Sequence, residues 1–175
     1  MDIYEYLKMD HDKVNHLFTL FEKTSSKKRQ HEIVAMIFQE LMVHAHSEQE
    51  TFYKVLLQYP ETREVSLHGE KEHQEIERQI TIINNSLDKH YVNEVLKLKE
   101  IVQHHVKEEE GKIFNKAKKV ISEQEAIVLK EKMHYLKGKF LLWLEKSKNE
   151  SKPKIVRKKS PPAQAEKESA RNSAQ

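Results

Sequence analysis

The sequence of 175 residues contains no cysteine, only three glycines and only four prolines. Without cysteine there can be no disulfide bond, thiolate zinc site or thiol catalysis, so any bound metal must take imidazole and carboxylate ligands. Two of the prolines are adjacent, at Pro161 and Pro162. Helix breakers are therefore nearly absent from the first 145 residues, which predicts long helices.

Long apolar runs are also missing. No stretch approaches the ~18 apolar residues that a membrane-spanning helix needs. The first ten residues contain three acidic side chains and no apolar run, unlike a secretory signal. We therefore expect a soluble cytoplasmic protein with no membrane partner.

The net charge of +3 is unevenly distributed. Residues 146–175 carry a net charge of +6 and residues 1–145 a net charge of −3. The basic segment has too few apolar residues to offset the entropy of an ordered chain, so we predict a disordered tail over 146–175. It contains no aromatic residue on which a base could stack, and we predict no specific nucleic-acid partner.

Apolar residues recur at intervals of three and four positions in five segments, as expected for amphipathic helices. The predicted helices cover about residues 2–21, 29–58, 61–87 and 89–120, followed by a shorter fifth helix that starts after Ser122. The sequence therefore predicts an all-α protein. Its single domain, residues 1–145, is an up-down-up-down four-helix bundle with an accessory C-terminal helix.

Polar side chains interrupt the apolar face of each of the first four helices. On helix 2, His44 and Glu48 are four residues apart, as are His105 and Glu109 on helix 4, which places each pair on one helix face. A buried carboxylate normally needs a charged partner or a metal ion. The candidate ligands are His11, His44, Glu48, His73, His105 and Glu109.

These residues also lie at matching heights in the predicted bundle. His11 and His44 are 15 and 18 residues from the turn near Ser26. For the pairs Glu48 and His73, and His73 and His105, the distances of the two residues from the turn between their helices differ by at most two residues. At a rise of about 1.5 Å per residue, side chains from four helices meet at one level. We expect one metal centre inside the bundle.

The donor set predicts how two ions would be held. Glu48 and Glu109 can bridge two metal ions while the four imidazoles take terminal positions. Six protein ligands leave coordination positions open, where a small molecule such as dioxygen can bind. Imidazole and carboxylate ligands suit iron, zinc, copper or manganese. The predicted dry wall around the site comprises Val14, Leu41, Ile76, Ile80 and Val102.

These motifs resemble those of the hemerythrin-like family, also called the HHE cation-binding domain. The resemblance spans about residues 1–119 and rests on Asp10-His11, His44–Tyr53, Glu72-His73 and His104–Phe114. It implies a four-helix bundle around two non-haem iron ions joined by an oxo or hydroxo bridge. It also implies reversible dioxygen binding, or a role in iron handling, sensing or stress protection.

Four positions depart from the usual pattern of that family. Lys54 and Asn115 stand where a proline is often found. Oxygen-carrying hemerythrins typically place a second histidine on helix 3, four residues from the first, and those positions are Gly69 and Glu77 here. A seventh metal ligand is left open, with Glu70 and Glu77 as candidates.

The leading hypothesis is a non-haem di-iron protein that binds dioxygen or a related diatomic such as nitric oxide for sensing, storage or stress protection. We assign no catalytic residue. The alternatives are an iron-dependent redox enzyme acting on peroxide or nitric oxide, and an iron-regulated interaction module. Glu70-x-x-His73 and Glu131-x-x-His134 formally fit a ferritin-like di-iron enzyme, but histidines stand where that architecture needs lone glutamates.

Overall fold

The computed structural model describes the backbone of residues 1–150. Most of the predicted basic tail, residues 151–175, lies outside the described residues. The predicted start of that tail at Lys146 is too early, because residues 146–150 continue the last helix.

Residues 1–150 form five helical rods. They are α1 (Ile3–Lys23), α2 (Lys27–Glu48), α3 (Pro60–Asn84), α4 (Asp88–Glu108) and α5 (Glu123–Glu150). A π-helical turn, Gln49–Tyr53, and a short α-helical segment, Lys54–Leu56, extend α2. Glu109–Ile113 and Phe114–Ala117 extend α4 in the same way. The prediction of an all-α bundle with an accessory helix is confirmed.

Local sequence signals set the helix starts. Asp2 and Glu5 form a reciprocal capping box at the start of α1, in which each side chain accepts a hydrogen bond from the other residue's backbone N–H. Ser26 caps α2, which starts two residues before the predicted Arg29. Pro60 is the first residue of α3, where its missing N–H costs nothing.

Two apolar clusters lie above and below the level of the candidate ligands. One contains Leu7, Phe52 and Phe114, and the other contains Phe18 and Leu98. With the extensions of α2 and α4 included, each of the first four helices contributes residues to both clusters, so each crosses the polar level between them. The candidate ligands therefore lie inside a dry core rather than at its edge.

The accessory helix α5 packs against α1 and α2. Met133 is fully buried, and Phe140 is half-buried. The apolar face of α5 does not stay buried to the C-terminal end of the helix, because Trp143 is 57% exposed. In the described part of the chain, we find no helix that is apolar over enough length to cross a lipid bilayer.

Candidate metal centre

The structure brings all six candidate ligands together in the middle of the bundle. Each of them is at least 93% buried. Their ligand atoms form two groups, within which all atoms lie less than 4.8 Å apart. The first group is His44, Glu48, His73 and His105, and the second is His11, His44 and Glu109. Because His44 belongs to both groups, they form one continuous cluster.

Each carboxylate lies between imidazoles of two helices. Glu48 Oε2 is 3.5 Å from His44 Nε2 and 3.3 Å from His73 Nε2. Glu109 Oε2 is 3.1 Å from His11 Nε2 and 3.7 Å from His105 Nε2. This is the placement required of carboxylates that contact two neighbouring cations.

Among the described residues, five ligand atoms of the cluster lack a hydrogen bond: Nε2 of His11 and of His44, both carboxylate oxygens of Glu48, and Oε2 of Glu109. The Nε2 atoms of His73 and His105 instead share a hydrogen bond of 3.1 Å. A buried polar atom without a partner costs about 1–3 kcal/mol, and more when it is charged. Metal cations held by the two groups would provide partners for these atoms. The residues present therefore fit a metal centre.

A second layer of carboxylates orients three of the imidazoles. The Nδ1 atoms of His11, His44 and His105 lie 2.9, 3.0 and 3.1 Å from carboxylate oxygens of Glu110, Asp10 and Glu72, respectively. An Nδ1–H that donates to a carboxylate leaves the Nε2 lone pair free to bind metal. Asp10 and Glu72 each precede a candidate ligand in sequence, but they support a histidine on a different helix.

The environment of the cluster raises the pKa of His44 and lowers the pKa of His73. Burial opposes protonation of His44, but the negative charge of Glu48 and the hydrogen bond to Asp10 outweigh it and raise the His44 pKa to about 10. Burial and the neighbouring imidazoles lower the His73 pKa well below its usual range. A metal ion held here would therefore have to displace a proton from His44, while His73 would offer a neutral lone pair.

Tyr53 is a part of the site that the sequence analysis missed. Its side chain is fully buried, and its hydroxyl donates a 3.1 Å hydrogen bond to Glu109 Oε1. Burial and the nearby charge of Glu109 raise the Tyr53 pKa well above its usual value, so the hydroxyl stays protonated. Tyr53 ends the π-helical turn after Glu48, and the second π-helical turn begins at Glu109. Such turns are frequent at functional sites.

Gly69 provides the space that Tyr53 occupies. A Cβ at position 69 would overlap the Tyr53 hydroxyl oxygen and the adjoining ring carbons. Neither candidate for a seventh ligand joins the cluster in the described structure, because Glu77 is exposed and Glu70 is only half-buried. The ring of Tyr53, from the extension of α2, occupies the volume next to His73.

We expect Gly69→Ala to destabilise the protein by about 1–3 kcal/mol, the usual cost of overpacking a core. The added methyl group overlaps the Tyr53 ring, which is buried and cannot move into solvent. Urea unfolding of the metal-free protein measures the effect.

Gly138→Ala is the matched control, because a Cβ at position 138 meets nothing within 4 Å. In a helix this change stabilises by about 0.5–1 kcal/mol. Equal stabilisation by both substitutions would contradict the close contact between Gly69 and Tyr53.

Histidines outside the cluster face solvent. The seven others are exposed: His16, His31, His46, His68, His90, His104 and His134. The ferritin-like alternative, which the sequence disfavours, also lacks support at Glu131 and His134, because the Glu131 side chain is 65% exposed and His134 hydrogen-bonds Tyr6 on the outside of the bundle.

A cavity of about 460 Å³ opens between α1 and α4 and reaches the cluster at His11. Phe18 and Val102 form part of its wall, and Glu110 and Gly111 lie along its α4 side. The cavity connects the protein surface with one of the candidate ligands.

Comparisons with known proteins give a family match and a match of the fold. The sequence model of the hemerythrin HHE cation-binding domain family matches residues 2–117. A solved hemerythrin HHE cation-binding domain-containing protein from Mycobacterium kansasii has a similar fold, with a TM-score of 0.71 and 22% sequence identity over 83% of this chain and 93% of that chain.

A curated relative from Nostoc sp. (strain PCC 7120 / SAG 25.82 / UTEX 2576), named DNA nickase, is 33% identical over 116 residues. The match covers 65% of this chain. This chain spans about a third of the length of that relative, 33% of it.

Proposed function

This chain belongs to the hemerythrin HHE cation-binding domain family, and on that premise we propose that it is a non-haem di-iron protein that binds dioxygen or a related diatomic. The family binds metal cations, and the buried His/Glu cluster fits such a site. One observation carries the proposal. Donor atoms from four helices converge in a dry core, and five of them have no hydrogen bond.

We assign the bridging positions to Glu48 and Glu109, since each carboxylate lies between two imidazoles. The terminal ligands are His11, His44, His73 and His105. The two groups hold three imidazoles with one carboxylate and two imidazoles with one carboxylate, which matches the imidazole and carboxylate ligands of non-haem iron sites with open positions. Iron would supply redox chemistry and an open coordination position for the diatomic.

The protein around the cluster favours a small uncharged ligand. The wall residues predicted from sequence are all buried, at 4–7% exposure: Val14, Leu41, Ile76, Ile80 and Val102. Such a wall offers no hydrogen-bonding side chain to a ligand and therefore favours a small uncharged one. We assign ligand access to the cavity between α1 and α4, because it runs from the surface to His11.

Tyr53 has a supporting role in this proposal. Its hydroxyl holds one oxygen of Glu109 in place, and the other oxygen of that carboxylate then faces His11. A neutral donor at this point also compensates part of the buried negative charge.

The name of the Nostoc relative refers to DNA nicking. We do not assign that activity to this chain. The cluster residues are at most 7% exposed, so the phosphate backbone of DNA cannot reach them. The match also covers only a third of that relative.

Metal analysis of the purified protein tests the proposal. We expect about two iron ions per chain and the visible absorption of an oxo-bridged iron pair. A protein that holds zinc or manganese when offered all three metals, or a single ion, would contradict it.

Rapid mixing of the reduced iron protein with dioxygen then separates the candidate activities. A stable spectrum that reverses when oxygen is removed is expected for a binding protein. Turnover of peroxide or nitric oxide would instead support the redox enzyme. Circular dichroism with and without iron addresses the interaction module, which requires a large gain of helix on loading.

A further inference from the structure

The three carboxylates of the second layer differ in the cations that face them. Asp10 accepts a hydrogen bond from Lys137, and the two side chains are only 11% and 14% exposed. Glu110 faces Lys8 at 3.7 Å, and that lysine side chain is 53% exposed. Among the described residues, Asp10 is thus the second-layer carboxylate with a close and buried counter-charge.

The remaining carboxylate, Glu72, faces two histidines near the surface. His68 Nε2 and His104 Nε2 lie 3.5 and 3.6 Å from its Oε1, and their side chains are 47% and 68% exposed. Water screens such contacts strongly, whereas buried charges are screened much less. Lys137 is therefore the cation with the strongest electrostatic influence on the second layer.

Lys137 comes from α5, which lies outside the four helices that supply the candidate ligands. It connects to the cluster through two contacts, from its Nζ to Asp10 Oδ1 and from Asp10 Oδ2 to His44 Nδ1. Contacts on either side hold α5 in place. His46 stacks on Phe140 with ring centroids 4.2 Å apart, and Met133 is buried. The accessory helix is thus linked through Asp10 to a candidate metal ligand.

This link has an electronic consequence for a metal bound at His44. A carboxylate that accepts from Nδ1–H makes the imidazole a stronger electron donor. A lysine on the same carboxylate withdraws part of that negative charge and places a positive charge nearby. Both effects disfavour the more highly charged, oxidised state of the ion.

We propose that Lys137 is a positioning residue of the metal centre, which holds Asp10 against His44 and raises the reduction potential of the ion that His44 binds. The inference rests on the proposed function, since it requires redox-active iron at the cluster. It assigns α5 a part in tuning the site, beyond covering the bundle.

Lys137→Met tests this inference in the iron-loaded full-length protein. We expect unchanged iron content and a reduction potential shifted to more negative values. At a fixed ambient potential the ratio of oxidised to reduced iron should rise about tenfold, which equals about 59 mV for a one-electron couple. Lys137→Arg, which keeps the charge, should retain the wild-type potential.

Lys130→Met is the matched control on the same helix. Lys130 is also largely buried, at 21% exposure, but its carboxylate partner is Glu131, which has no contact with the cluster. We expect the wild-type potential for this variant. Lys137→Gln serves as a second neutral variant if Lys137→Met does not fold.

The outcomes separate this inference from the proposed function. If the wild-type protein takes up no iron, the proposed function fails. If iron binds, but the neutral Lys137 variants keep the wild-type potential, the inference about Lys137 is overturned. A shift that persists unchanged in an Asp10→Asn background would also overturn it, because the influence would then not pass through Asp10.

Discussion

Glu48→Gln is expected to abolish binding of the metal pair and the stability that the metal confers. Both Glu48 oxygens are buried without a hydrogen bond, and one lies within 3.5 Å of two imidazoles. The amide that replaces it has one neutral oxygen and cannot bridge two cations. At a free metal concentration of about 100 times its Kd, a bound ion stabilises the folded state by about 2.7 kcal/mol. The variant should lose this gain.

Urea unfolding with and without ferrous iron under anaerobic conditions measures the difference, and elemental analysis gives the metal content. Glu50→Gln is the control on the same helix extension, because its side chain is 49% exposed and pairs with Lys54. This control should gain as much stability from iron as the wild type. Retention of two ions by Glu48→Gln would remove Glu48 from the bridging position.

Glu77→Gln extends the comparison to the open question of a seventh ligand. Glu77 is exposed and lies outside the cluster, so its replacement should leave the iron content and the metal-dependent stabilisation at the wild-type values. A loss of iron in this variant would mean that α3 rotates when the metal binds.

The positions of the six candidate ligands could be predicted because they follow from helix geometry alone. A spacing of four residues puts His44 and Glu48 on one face, and the turns set the height of each residue along the bundle. Both rules depend only on local sequence and on connections of known length. The structure accordingly places all six in one cluster.

The second layer could not be predicted, because its contacts depend on how neighbouring helices are rotated about their axes. Asp10 lies beside His11 in sequence, yet it hydrogen-bonds His44 on α2. Lys137 is 127 residues from Asp10 in sequence. No periodicity within one helix indicates which side chain of the next helix it will meet.

The π-helical turns are a further feature without a local signal. An additional residue in the turn shifts the buried face by one position. The apolar pattern predicts Phe52 and Val55 on the inner face of helix 2. Phe52 is fully buried, as this pattern predicts, but Val55 is only partly buried, and Tyr53 and Leu56 are fully buried as well. The predicted face assumed an uninterrupted period of 3.6 residues. Tyr53 was missed for this reason, since a regular helix would have placed it outside the core.

Gly111→Trp is expected to block ligand access while leaving the metal in place. Gly111 is exposed, lines the cavity between α1 and α4, and has nothing within 4 Å of an added Cβ. An indole at this position can project into the cavity without displacing the core. The substitution also replaces glycine by a better helix former, so the fold should persist.

The rate of nitric oxide or dioxygen binding to the reduced iron protein, measured by stopped flow, should fall roughly a hundredfold, which corresponds to about 2.7 kcal/mol of added activation free energy. Iron content and the visible spectrum should stay unchanged. Gly138→Trp provides the control, because Gly138 is equally open but lies on α5, away from the cavity. If both variants bind ligand at the wild-type rate, the diatomic reaches the centre by fluctuations elsewhere in the bundle. If only Gly111→Trp is slow, the path past His11 is the one that the ligand takes.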